Sequence, residues 1–157
     1  MIGKTVKGNG FGGVLRYVFE KPQAQCIGSN MLSQTPRALA REFRSVASHN
    51  RRVQRPVAHI SLSPSPEEEL SDLEALDFAM AYLDKIGFSD CQWVLVRHAD
   101  TQTDDGRPRP HFHIVANRVK STDSDGVTTP SAAMPDGKWN DLRSLNGSSP
   151  RRGATSA

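Results

Sequence analysis

Residues 93–119 read WVLVRHADTQTDDGRPRPHFHIVANRV, two apolar runs separated by a polar connection bearing proline and glycine. Trp93 to His98 and Phe112 to Val119 have the length and composition of strands, and Ala99 to Pro110 has the composition of an exposed loop. A strand, a loop and a strand of this kind predict an antiparallel pair. Successive side chains of a strand point to opposite faces, so His111 and His113 share one face, separated by roughly 6.6 Å of backbone rise. His98 closes the preceding strand, where the connection brings it back beside them. Three imidazoles so arranged suit a divalent ion acting on phosphate, with coordination positions left open. Asp100, two residues beyond His98, is placed either to orient a ligand imidazole or to cap the start of the loop.

Working upstream, Val57 to Ser63 alternates as a strand, with Ala58, Ile60 and Leu62 on one face and His59 and Ser61 on the other. His59 is thus a candidate for a place near the site, or simply a polar strand residue. Between this strand and Trp93, Ser65, Pro66 and Glu67 to Glu69 predict a helix start with a capping box. Leu73, Leu76, Ala79, Ala81, Leu83 and Ile86 continue that helix, and Gly87 is its expected stop. Thr35 and Pro36 open another helix that carries Leu39, Phe43, Val46 and Ala47 to about Asn50. Its polar face holds Arg37, Arg41 and Arg44, and the run Arg51, Arg52, Arg55 follows it. At the N-terminus residues 2 to 7 read as a strand, four glycines break it, and Val14, Leu15, Val18 and Phe19 predict a short helix. Downstream of Lys120, STDSDG reads as a turn and Val127 to Thr129 as a short edge strand. The fold expected is α+β, an antiparallel sheet of about five strands with histidines on one face and helices packed against the other.

The 157 residues suffice for a single domain, with 36% hydrophobic and 24% charged residues. No stretch approaches the ~20 apolar residues of a membrane span, and no secretory signal is recognisable, so a soluble cytoplasmic protein is expected. Cys26 and Cys91 form no CxxC pattern and are expected to be packed thiols. The net charge of +3 is uneven. Residues 1 to 60 hold ten Lys or Arg against Glu20 and Glu42, a net +8, and the remainder holds ten against fifteen acids, a net −5. Such a basic half suits a phosphate-backbone partner, and Lys4, Lys7, Arg16, Arg37, Arg41, Arg44, Arg51, Arg52 and Arg55 are its candidate contacts.

Only two tyrosines occur. Tyr82 falls inside the long amphipathic segment and reads as a core or boundary aromatic. Tyr17 follows a glycine-rich turn and is flanked by Arg16 and Lys21, the surroundings of a phenol that meets a phosphate.

The segments MIGKTVKGNGFGGVLRYVFEK, IGSNMLSQTPRALAREF, HISLSPSPEEELSD, AMAYLDKIGFSDCQWVLVRHAD and PHFHIVANRV, in this order, resemble the relaxase and mobilisation nuclease family of conjugative and mobilisable plasmids. That family belongs to the HUH endonucleases, named for two histidines around a hydrophobic residue, here His111, Phe112 and His113. The resemblance implies metal ligands at His98, His111 and His113, a nucleophile at Tyr17, and a divalent ion, Mg2+ or Mn2+. It implies nicking of one DNA strand at an origin of transfer, a 5'-phosphotyrosyl product, and work alongside accessory mobilisation proteins and a coupling protein. A rolling-circle replication initiator uses the same histidine pair, but those usually place the tyrosine after it, whereas Tyr17 comes before. A non-enzymatic DNA-binding remnant is the other alternative. The resemblance covers residues 1 to about 142, and the following RSLNGSSPRRGATSA departs from the family pattern. The expected organisation is therefore a C-terminally incomplete nicking domain over 1–142 and a disordered or aberrant tail over 143–157.

Overall fold

The computed structural model describes residues 2–121. The expected edge strand at 127–129 and the proposed domain limit at 142 lie outside them. Five strands and three helices follow in the order β1 (Ile2–Gly8), α1 (Phe11–Phe19), β2 (Gln25–Ser29), α2 (Pro36–Ala47), β3 (Val57–Ser63), α3 (Asp72–Lys85), β4 (Trp93–His98) and β5 (His111–Asn117). The strands form one sheet in the order β1-β3-β5-β4-β2, every neighbouring pair antiparallel. The α+β class and the antiparallel sheet are as expected.

The placement of the helices is not. Ala58, Ile60, Leu62, Leu95, Phe112 and Ile114 face α3, which buries Ala75, Phe78, Ala79, Tyr82 and Leu83 against them. The opposite face offers Val57, Val94, Val96 and Val115 to Phe11, Leu15 and Val18 of α1 and to Leu39, Ala40 and Phe43 of α2. Helices therefore cover both faces, and α1 and α2 lie on the face that carries the histidines. The reason is that β4 and β5 are apolar on both faces at their central positions, as a strand covered on both sides must be. Phe11 of α1 stacks on Phe43 of α2 with ring centroids 4.6 Å apart, which locks the two helices into one layer.

Two local expectations also change. β2 is absent from the sequence reading, because Gln25–Ser29 is a short edge strand with a bulge between Cys26 and Gly28 and shows no clean alternation. It also leaves Cys26 exposed, whereas Cys91 is buried as a packed thiol. The third helix starts at Asp72, not near Ser65. Ser71 is the N-cap, accepting from the Glu74 amide while the Glu74 carboxylate accepts from the Ser71 amide. Ser65 closes only a turn, its carbonyl accepting from the Glu68 amide at 2.9 Å. Both Ser65–Glu68 and Ser71–Glu74 match the capping pattern, and the buried side chains begin only after the second. At the other end Gly87, at φ +88°, takes the left-handed position, and the amide of Phe88 reaches back to the carbonyl of Leu83.

Candidate metal and nucleophile site

The register of β4 with β5 sets His98 directly opposite His111 and Val96 opposite His113. All three histidines then point to the same face, and the β4–β5 connection, for all its length, folds as an ordered loop that keeps this register. Within it Gln102 bridges Pro108, and Gly106, at φ +83°, makes the turn. One ring nitrogen of each of His98, His111 and His113 lies within 4.8 Å of the others. The ring centroids are 5.1 Å apart for His98 and His111, 4.3 Å for His98 and His113, and 5.0 Å for His111 and His113.

The outward nitrogens of the two buried rings are held by hydrogen bonds. His98, 0% exposed, donates from Nε2 to the carbonyl of Val18 at 2.6 Å. A carbonyl only accepts, so Nε2 carries the proton and Nδ1 presents its lone pair. His113 Nδ1 lies 2.8 Å from His59 Nε2, with Ser61 Oγ at 3.5 Å. His98 Nδ1 and His113 Nε2 are both buried without a hydrogen-bond partner. Two orphaned imidazole nitrogens turned into one cluster leave buried polar groups unsatisfied, and a cation bound between them would satisfy both. The donor set fits a divalent ion. Asp100 comes to His111, its Oδ1 standing 3.8 Å from Nε2, at the limit of an ion pair and beyond a hydrogen bond.

Burial holds His113, His111 and His59 toward the neutral form. Burial, reinforced by His98, His59, His111 and Lys21, drives the His113 imidazole down to about 3. Burial and then His98 also lower His111, against an opposing pull from Asp100, and the same two causes lower His59. Neutral imidazoles are the form that ligates a metal.

Tyr17 stands over this cluster. Its ring centroid is 6.1 Å from His113, 6.2 Å from His59 and 6.5 Å from His98, edge-on in each case. Half of its surface is exposed, and Lys21 Nζ lies 5.1 Å from the ring centre. Tyr82 is 2% exposed on the far side of the sheet, stacked on Phe78 within the α3 core. The model of the relaxase family, MobA/VirD2-like nuclease domain, matches residues 17–131, well over half of the chain. The chain belongs to the relaxase family. No curated protein and no solved structure matches it significantly. Membership of this nuclease family implies a role in DNA nicking and mobilisation, dependence on a metal, and binding to DNA.

The basic residues divide into two groups in the relaxase. Arg16 of α1, the chain neighbour of Tyr17, lines a recess of about 490 Å3 with Arg37 and Arg44 of α2 and with Glu20, and Arg41 is exposed on α2. Lys4 is exposed on β1 opposite Ser61, on the histidine face. Lys7, Arg52 and Arg55 line a different recess of about 640 Å3 with Arg118, and Arg51 is exposed nearby in sequence. Arg118 directly follows the end of β5, five residues or roughly 16 Å along the chain from His113. Arg118 was missed because it falls outside the basic half of the sequence. The backbone carbonyl of Val18 was missed because no side-chain pattern announces it. Among the described residues no helix is long and apolar enough to cross a membrane.

Proposed function

We propose that this relaxase domain cuts one strand of DNA at a plasmid origin of transfer by transesterification onto Tyr17. The observation that carries the reading is the half-exposed Tyr17 ring, 6.1 Å from His113 and 6.5 Å from His98 of the three-histidine cluster and 6.2 Å from the neighbouring His59. In the reaction the Tyr17 Oη–phosphorus bond forms and the bond from phosphorus to the 3' oxygen breaks. The phenol gives up its proton and the departing 3' oxygen gains one, leaving a 5'-phosphotyrosyl end and a free 3'-hydroxyl. One phosphate ester replaces another, so the step is reversible and allows strand rejoining.

His98, His111 and His113 would hold Mg2+ or Mn2+, which supplies Lewis-acid polarisation of the scissile phosphate when bound. Asp100 acts on His111 through its charge, from 3.8 Å away, and Lys21 adds positive potential beside the phenol. Arg16, Arg37, Arg41 and Arg44 neutralise the backbone of the strand entering over α1 and α2, Lys4 meets it on the histidine face, and Lys7, Arg51, Arg52 and Arg55 engage phosphates at the second recess. The nicking unit spans residues 1 to about 142 and works in the cytoplasm with accessory mobilisation proteins and a coupling protein. The test is incubation with a labelled single-stranded origin oligonucleotide and Mn2+, followed by a denaturing gel. A covalent protein–DNA band is the expected result; oligonucleotide binding with no adduct and no cleavage would reduce the domain to a DNA-binding remnant.

A further inference from the structure

We infer that His59 is a positioning residue that fixes the tautomer of His113, so that His113 offers a lone pair from Nε2 to the cation. The inference rests on the metal-site reading above. His59 sits on β3 and His113 on β5, neighbouring strands in the sheet, with Ser61 directly opposite His113 in the register. Their rings lie 5.0 Å apart, tilted by 32°, with His59 Nε2 at 2.8 Å from His113 Nδ1. A contact of that length requires one nitrogen to carry the proton and the other to accept it.

The surroundings decide which. If Nδ1 of His113 were the acceptor, its proton would sit on Nε2, buried and aimed among rings where it finds no acceptor. With the proton on Nδ1, His59 accepts it and Nε2 is left as a bare donor atom facing the other two imidazoles. His98 is fixed in the corresponding way by the Val18 carbonyl through its Nε2. The two buried ligands are therefore oriented by different partners, one a backbone oxygen and one a side chain, and only the second can be changed by substitution. The Ser61 hydroxyl, at 3.5 Å, is too distant to replace His59 without movement.

The experiment has two readouts. Nitrogen-15 spectra of the metal-free protein report which His113 nitrogen is protonated, and calorimetric titration with Mn2+ reports affinity. The wild-type spectrum should show the Nδ1–H form. His59→Leu should mix the tautomers and weaken Mn2+ binding about 10- to 100-fold, the usual consequence of losing a partner that orients a ligand. His59→Gln, whose side-chain oxygen can accept from the same N–H, should restore most of the affinity. A wild-type His113 protonated on Nε2, a Leu variant with wild-type affinity, or a folded Gln variant as weak as the Leu variant would each overturn the inference. If the wild type itself takes up no Mn2+, the metal-site reading fails; the tautomer spectra of wild type and His59→Leu, recorded without metal, then decide the role of His59 by themselves.

Discussion

At the scale of single residues, the site combines an exposed phenol with imidazoles that are almost dry. Tyr17 is 50% exposed, whereas His98 and His113 are 0% and 5% exposed. Tyr17→Phe removes one oxygen and leaves the ring edges in place, so it should abolish the covalent adduct while oligonucleotide affinity stays near wild type. Tyr82→Phe, in the core on the other side of the sheet, should leave cleavage unchanged. Adduct formed by the Tyr17→Phe variant would show that another group is the nucleophile. The burial that keeps His113 neutral also sets a pH dependence. The unfolded chain protonates this imidazole near its ordinary value of 6.5, whereas the metal-free fold resists down to about 3. Between those values the unfolded state holds more protons, so stability is full above pH 6.5 and falls as pH drops. The loss approaches about 1.4 kcal/mol per pH unit for one such group. His59 and His111, also lowered, act in the same direction. Urea denaturation in EDTA at pH 7 and pH 5 measures this, and equal midpoints would contradict it.

At the scale of elements, what could be read from the chain was what alternation encodes. The strand of residues 57–63 carries its alternation openly, residues 93–98 show a strand by their apolar run, and a two-residue period fixes His111 and His113 to one face whatever packs above them. β2 was illegible because an edge strand with a bulge, pairing only with β4, has no repeating apolar face. The side of the sheet covered by α1 and α2 was illegible because valine suits either face of a doubly covered strand. His59 was placed near the site but not in contact with His113, since pairing of β3 with β5 joins residues 54 positions apart. The start of α3 is ambiguous in the sequence because two Ser-x-x-Glu motifs lie six residues apart and only packing chooses between them. That choice is testable. Ser71→Ala should cost about 1 kcal/mol in denaturant unfolding by deleting the cap, and Ser65→Ala, at a turn, should cost far less. Equal losses would mean that Ser65 also nucleates the helix.

At the scale of the whole molecule, the two basic groups line two different recesses, and Arg16 of the first is the chain neighbour of Tyr17 in α1. Single-strand affinity should fall with salt at a log–log slope of about −0.7 for each phosphate engaged. Neutralising Arg16, Arg37 and Arg44 together should flatten that slope and impair cleavage, whereas neutralising Arg52 and Arg55 should flatten it with less effect on the adduct. A slope near zero in the wild type would remove the charge argument altogether. Metal should also stabilise the fold, by about 2.7 kcal/mol when Mn2+ is present at a hundred times its dissociation constant, a gain that EDTA reverses. The bond from His98 Nε2 to the Val18 carbonyl gives this gain a direction. Val18 is the residue after Tyr17, in the same helix, so the ring proposed to meet the cation and the backbone that carries the phenol are joined by one hydrogen bond. Whatever free energy the cation adds to holding His98 in place is, by reciprocity, added to the seating of α1. Amide hydrogen exchange in residues 11–19 should therefore slow on Mn2+ addition beyond the protection gained by α3 across the sheet, so that filling the proposed metal site quiets the helix that carries Tyr17.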